Sequence, residues 1–464
     1  MTTLTAAFAQ AAIKYSDQTA LIDGDGSAYR FSQVQELADA NAATWHAKGV
    51  RPGDRVLIAM GVGVDLYASL AALWSLGATV VLPEPAMGLA GVKTAVKATE
   101  PKFFCASGAY VWIKLLVPRL WGTKLLTPKQ HADAKPYKPV MEPDSVALIS
   151  FTSGTTGTPK AIPRTHAFLM AQWKAVAPLL QSEADEIDLV TFPVFVLINL
   201  AEGRTSVLPN WKMSKLASLD PRALVDWISA NKCTRALLPP ALCEKLVEAQ
   251  DTGSLNHILT GGGPVFPDVV QDLQQIKKHL EITTVYGSTE AEPIAHAHTT
   301  EQGYGLFVGQ PVDAVRLRIV DTEIQVAGGH VNTGYLDPAR DAETKVYEGD
   351  TIWHRTGDAG RLDDQGQLWL LGRVGDQVQT DKGVQYPFAI ETAARMWPGV
   401  ARVALTEHCQ VPLLVVEGKA PLIDEWRARA EAFGIKDVQH IAKIPLDKRH
   451  HSKVDRNALR KLLV

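Results

Sequence analysis

The sequence predicts an α/β fold: a large N-terminal domain of parallel-rich sheets with a β-rich subdomain, then a small α+β C-terminal domain. Strand-like and helix-like segments alternate through the first half, as parallel sheets with right-handed crossovers require. After about Asp313 the texture changes to short strand-like runs separated by turn residues. A last segment, 373–464, carries strands and helices of its own, so the domains are placed at 1–372 and 373–464.

The elements follow in order. Phe31 to Lys48 has helical periodicity, and the turn Gly49-Val50-Arg51-Pro52-Gly53-Asp54 stops it. Arg55 to Met60 reads as a buried strand, Asp65 to Leu76 as a helix and Ala78 to Leu82 as a second strand. In the β-rich part the strand-like runs are Arg316 to Val320, Glu323 to Val326, Thr351 to His354 and Gln367 to Leu371. The last segment offers strands at Ala401 to Leu405 and Leu413 to Val416, and helices at Asp424 to Phe433 and Asp455 to Leu463.

Bulk properties narrow the partners. The chain has 464 residues, 46% hydrophobic and 21% charged, enough for two or three packed domains. A net charge of -3, with both signs mixed along the chain, makes nucleic acid an unexpected partner. Cys105, Cys233, Cys243 and Cys409 show no CxxC spacing and read as thiols in a reducing compartment. Neither a secretory signal nor a transmembrane segment is apparent, and the apolar run from Ala68 to Leu82 suits a buried helix-turn-strand, so a cytoplasmic location is expected.

The strongest chemical signal is Phe151-Thr152-Ser153-Gly154-Thr155-Thr156-Gly157-Thr158-Pro159-Lys160. It lies between a strand-like run, Ser145 to Ile149, and a helix-like run, Ala167 to Leu180. Glycines let backbone N–H groups approach a polyphosphate, hydroxyls donate to it and Lys160 supplies a charge. It is not a P-loop, since the lysine follows Thr-Pro and no Ser or Thr succeeds it. A Ser/Thr/Gly linker is the plain alternative.

This pattern resembles the phosphate loop of the adenylate-forming superfamily, which includes acyl-CoA synthetases, peptide-synthetase adenylation domains and luciferases. The likeness extends along nearly the whole chain, through Tyr29-Arg30-Phe31, the Gly49 to Asp54 turn and Gly77-Ala78, with Ala161 where a glycine is usual. It implies ATP and Mg²⁺ as cofactors, a carboxylic acid as substrate and a mobile C-terminal domain.

Val285-Tyr286-Gly287-Ser288-Thr289-Glu290 is the second signal. Tyr286 offers a flat face for a base, Thr289 a hydroxyl for a phosphate and Glu290 a hard oxygen ligand for Mg²⁺. Alone, the same turn could be a helix start capped by Ser288 or Thr289. Gly261-Gly262-Gly263-Pro264 resembles the family's adenine turn. Thr356-Gly357-Asp358 resembles its ribose motif, a carboxylate on a tight turn, and Arg373 matches the second ribose-contacting residue; a salt bridge at a domain border is its plain alternative.

Near the C-terminus, Pro445 through Ser452-Lys453-Val454-Asp455-Arg456 resembles the terminal motif whose lysine crosses the domain gap. The resemblance makes Lys453 the catalytic cation that holds the carboxylate and the α-phosphate together, with Thr289 and Glu290 beside it. Lys448 and Arg449 read as a solvated basic tail.

Several stretches resemble β-lactone synthetases of bacterial olefin biosynthesis: Pro83 to Gly88, Thr191 to Leu200, Trp353-His354-Arg355 and Arg449-His450-His451-Ser452-Lys453. Those enzymes adenylate a β-hydroxy acid and let its own hydroxyl displace AMP. Ile162-Pro163-Arg164-Thr165-His166 instead resembles aryl-acid-activating enzymes. Phe195 and Val196 are the acyl-pocket candidates, although alternate residues of Phe192 to Ile198 are expected to face the core, and the run suggests an aliphatic or fatty acid. Asp381-Lys382 stands where thioester formers carry glycines, and Gly375 precedes Asp376 at the hinge. An acyl-CoA or carrier-protein ligase, with coenzyme A or an acyl carrier protein as partner, is the alternative outcome. A non-catalytic nucleotide-binding partner is the alternative of another class, opposed by intact Lys160, Glu290, Asp358, Arg373 and Lys453.

Overall fold

The computed structural model describes residues 3–84, 87–128, 142–152, 159–182, 184–447 and 452–463. Ser153, Gly154, Thr155, Thr156 and Gly157, with Pro85-Ala86 and Lys448 to His451, lie outside the described residues.

The first elements fall where the hydrophobic pattern puts them. Phe31–Ala47 is a helix that buries Phe31, Val34, Ala38 and Trp45. Arg55–Ala59, Val64–Ser75 and Thr79–Val81 form the expected strand, helix and strand. They enter a six-stranded sheet ordered Lys124–Leu126, Phe103–Ala106, Arg55–Ala59, Thr79–Val81, Val146–Thr152, Lys160–Thr165. Its strands are parallel except the last pair, Val146–Thr152 with Lys160–Thr165, which is antiparallel. This corrects the placing of the phosphate loop between a strand and a helix. Lys160 to Thr165 is itself a strand, and the helix His166–Val176 starts only after it, with Thr165 Oγ1 accepting from Phe168 N. Thr152 and Lys160 therefore stand opposite each other on paired strands.

A fourteen-stranded sheet forms the rest of the large unit. Glu281–Ser288, His257–Gly261, Arg235–Leu238, Ile187–Val190, Thr205–Val207 and Thr19–Ile22 run parallel. Helices from this region begin at Pro193, Pro221, Pro240 and Pro267, where proline's fixed φ and missing N–H cost nothing. Beyond Glu281–Ser288 the same sheet continues antiparallel through Ala291–Ala297, Leu306–Pro311, Leu368–Arg373, Thr351–Leu362, Glu323–Ala327 and Arg316–Val320. The β-rich part thus extends the α/β sheet rather than forming a separate one.

That ladder ends at Arg373. Afterwards come a two-stranded ribbon, Val378–Thr380 with Gly383–Gln385, and a three-stranded sheet of Val400–His408, Val411–Gly418 and Asp437–His440. Helices Pro387–Arg395, Ile423–Ala430 and Arg456–Leu462 accompany them, around buried Ile390, Leu405, Leu414 and Trp426. Among the described residues, none of these strands pairs with either large sheet.

Candidate active site

The antiparallel switch in the large sheet builds the centre of the site. Glu281–Ser288 turns back directly into Ala291–Ala297, leaving Thr289 and Glu290 at the tip. This rules out a capped helix start at Ser288 or Thr289. Arg164, on Lys160–Thr165, donates from Nη2 to the Thr289 carbonyl at 2.5 Å, joining the phosphate-loop hairpin to this tip.

On one side, Tyr286 Oη donates to Asp358 Oδ2 at 2.8 Å, and Arg373 Nε lies 3.2 Å from Asp358 Oδ1. Burial and the Asp358 carboxylate together push the Tyr286 phenol well above its usual value, so it stays a donor. Asp358 is not on a tight turn, as the motif suggested. It lies inside the long strand Thr351–Leu362, opposite Arg373 on Leu368–Arg373. Gly357 beside it is the one residue of that strand with left-handed backbone, at φ 72°. Glu323 holds this bend from below, accepting from Gly357 N at 3.1 Å and from Arg355 Nε at 2.7 Å. Arg373 also donates to the Thr356 carbonyl at 3.0 Å, so its salt bridge positions the Asp358 carboxylate rather than merely closing a domain border.

On the other side, Tyr335 Oη donates to Glu290 Oε1 at 3.1 Å. The Tyr335 ring has two ammonium groups near it, Lys160 Nζ and Lys345 Nζ, each 5.2 Å from its centroid. Lys160 Nζ also lies 3.4 Å from Glu343 Oε2. Lys345 is buried; it donates to the Asn332 carbonyl and contacts His354 Nδ1 at 3.1 Å. Burial pulls the Lys345 ammonium down to about 8. Burial and the neighbouring Lys345 charge pull His354 down to about 3, so His354 is neutral and can accept. Asn332 N in turn donates to the Glu290 carbonyl at 2.7 Å. Glu290 is therefore held through both its backbone and its carboxylate.

The glycine turn faces the C-terminal segment. A Cβ on Gly261 would meet the Val285 carbonyl at 2.4 Å, so the turn lies flat on the neighbouring strand. A Cβ on Gly263 would meet Ser452 Oγ at 2.2 Å, which brings the residue before Lys453 against the turn. Lys453 is exposed, and its N–H donates to Asp447 Oδ1 at 2.9 Å. Arg395 Nη2 lies 2.5 Å from Asp268 Oδ2, Arg402 pairs with Glu244, and Phe266 meets Phe388 edge-on at 6.1 Å. These contacts link the helices of the large unit to the small one.

Other candidates separate from this cluster. Pro193–Glu202 is a helix, so the expected strand-like alternation over Phe192 to Ile198 is replaced by a helical face. Phe195 and Val196 are both buried in the main core, Val196 fully. Asp381 Oδ2 lies 2.7 Å from Lys436 Nζ, and Lys382 Nζ donates to the Ala432 carbonyl at 2.7 Å. Gly375 has φ outside the left-handed region, and a Cβ there would meet nothing within 4 Å. The arrangement seen does not itself demand glycine at that point.

Tyr335, Lys345, His354 and Glu343 were missed as members of the site. Gly334-Tyr335 carries no charged signature, and Lys345 and His354 come together only because Lys345–Glu348 pairs with Thr351–Leu362. The signal in the sequence was the stretch Trp353-His354-Arg355, which contains His354.

Residues 8–336 match the model of the AMP-binding enzyme family. The olefin β-lactone synthetase of Stenotrophomonas maltophilia (strain K279a) is 29% identical over 92% of this chain and 90% of its own length. The indoleacetate–CoA ligase of Aromatoleum aromaticum (strain EbN1) is 27% identical over 81% of this chain and 79% of its own. The amide bond synthetase McbA of Marinactinospora thermotolerans superposes with a TM-score of 0.83 at 21% identity, covering 98% of this chain and 99% of that one. With a family match that spans the phosphate-loop hairpin, the glycine turn and Glu290, the chain belongs to the AMP-binding enzyme family.

Proposed function

We propose that this enzyme joins a carboxylic acid to the AMP portion of ATP, releasing pyrophosphate, and that a β-hydroxy acid with an aliphatic chain is its substrate. One observation carries the reading: Asp358–Tyr286–Arg373 and Glu290–Tyr335–Lys160 flank a single hairpin, and Ser452 brings the Lys453 segment against the glycine turn beside it. In this assignment Asp358 and Arg373 hold the ribose, and Gly261 to Gly263 with Tyr286 hold the adenine. Thr152 to Lys160 cradle the β and γ phosphates.

The residues present fit Mg²⁺ and a polyphosphate. Glu290 supplies a fixed carboxylate, and Thr152 Oγ1 and Ser288 Oγ are buried with no partner among the described residues. Magnesium would supply charge neutralisation on the phosphate oxygens, with Glu290 as its protein ligand. The chain's own contribution is to align the carboxylate oxygen with the α-phosphorus and to place Lys453 where negative charge develops.

The β-lactone outcome rests on likeness to the Stenotrophomonas enzyme and on Asp381-Lys382, whose side chains occupy a turn where thioester formers carry glycines. Intramolecular attack by a β-hydroxyl has a high effective concentration and needs no second substrate. The two-domain division, 1–372 and 373–464, belongs to the same proposal, with rotation about Gly375 serving release or the second step. Incubation with ATP and a β-hydroxy fatty acid, with and without coenzyme A, tests it. Lactone and AMP without coenzyme A are expected; thioester only with coenzyme A would replace this outcome by a ligase.

A further inference from the structure

One face of the six-stranded sheet is covered by the helix Gly88–Thr99 and by the short turns Gly108–Trp112, Ile113–Leu116 and Pro118–Leu120. Val117 and Leu120 point inward and pack with Val92, Val96 and Phe104. That anchorage fixes what points outward: Tyr110, Trp112, Leu115, Leu116 and Trp121 are 45%, 66%, 63%, 60% and 64% exposed. Single exposed apolar side chains are ordinary; five large ones within twelve residues of one pinned segment are not.

The charge around them is one-sided. From Gly88 to Lys124 the chain carries Lys93, Lys97, Lys102, Lys114, Arg119 and Lys124 against a single acid, Glu100. The whole chain is net -3, so this basic surface is a local feature. Lys102 is neutralised by Asp54 at 2.9 Å, while Lys93, Lys97 and Arg119 stand exposed.

We propose that this face docks on the surface of an anionic lipid bilayer. Trp and Tyr rings favour the headgroup level, Leu115 and Leu116 supply apolar area below it, and the lysines meet anionic headgroups. A second copy of the chain would bring identical cations face to face in a two-fold contact. Protein interfaces are depleted in lysine, which this face is not. Among the described residues no helix is long and apolar enough to cross a membrane, so the contact is peripheral.

The test is flotation of the full chain with vesicles of phosphatidylcholine alone or mixed with phosphatidylglycerol. Binding to the anionic vesicles, weakened by salt, is expected. The Trp112→Ser/Trp121→Ser double variant and, separately, Lys93→Glu/Lys97→Glu should each weaken it by about tenfold or more. Both should leave pyrophosphate release on a short water-soluble acid unchanged. The lysine pair is exposed on a helix, so it keeps the test decisive if the tryptophan pair misfolds. No binding, equal binding to both vesicle types, or a dimer in solution that the tryptophan pair dissolves would overturn the proposal.

Discussion

The Glu290 side of the site and the Lys453 side are built in opposite ways. Glu290 is held at its carboxylate by Tyr335 and at its carbonyl by Asn332, and the buried Lys345–His354 pair stands behind them. Lys453 is exposed, and its segment meets the large unit where Ser452 touches Gly263, supported by ion pairs of Asp268 and Glu244 with Arg395 and Arg402. Buried, satisfied hydrogen bonds resist rearrangement, whereas partly exposed ion pairs exchange readily with water and salt. In the proposed reading the Glu290 side is preorganised, and Lys453 is carried by a segment held through contacts that exchange with solvent.

Removing the delivered charge should cost most. Lys453→Ala is expected to slow acyl-AMP formation by about a hundredfold or more, because a cation at the developing phosphorane is lost. ATP binding by equilibrium titration and the melting temperature should change little. Unaltered adenylation in this variant would remove Lys453 from the mechanism.

Glu290→Ala should come next. Loss of a hard oxygen ligand should raise the magnesium concentration needed for half-maximal pyrophosphate release by about tenfold or more, with partial rescue at high magnesium. A reaction indifferent to magnesium would contradict the role given to Glu290.

Tyr335→Phe isolates one contact, since it removes one hydroxyl and keeps the ring near Lys160 and Lys345. The half-saturating magnesium concentration should rise about three- to tenfold, with melting almost unchanged. A variant with wild-type magnesium dependence would show that Glu290 holds its position without Tyr335.

The smallest effect concerns acid. His354 is neutral when folded, with its pKa pulled from 6.5 to about 3. The unfolded chain therefore binds the extra proton first, and this group's contribution to stability is lost as pH falls from about 6.5 towards 3. The slope is about 1.4 kcal/mol per pH unit for one proton. His354→Gln should flatten the acid limb of the unfolding free energy, measured by urea titration at a series of pH values, by about that slope; an unchanged limb would contradict a buried neutral imidazole.

Hydrophobic runs bounded by turn residues made most of the fold legible, because Arg55–Ala59, Val64–Ser75 and Thr79–Val81 are each buried over nearly their whole length. Motifs were legible for the same local reason: Tyr286 and Glu290 sit four residues apart on one hairpin. What escaped was set by pairing across distance. Lys160 to Thr165 became a strand because Val146–Thr152 offered it an edge, and Asp358 was drawn into a strand by Arg373 opposite. Phe192 to Ile198 misled for another reason: a short apolar run fits a buried strand or a buried helix equally, and Pro193 with Gly203 decided for the helix. Tyr335, Lys345 and His354 have no common spacing, so only the folded chain assembles them.

In the proposed reaction a carboxylate oxygen is transferred to the α-phosphorus of ATP. This transfer is tested most directly with a carboxylic acid labelled with oxygen-18 in both carboxylate positions, by analysing the nucleotide product by mass after full turnover. AMP carrying one labelled oxygen, with unlabelled pyrophosphate, is the expected result. Label in inorganic phosphate, with ADP as the nucleotide product, would contradict it.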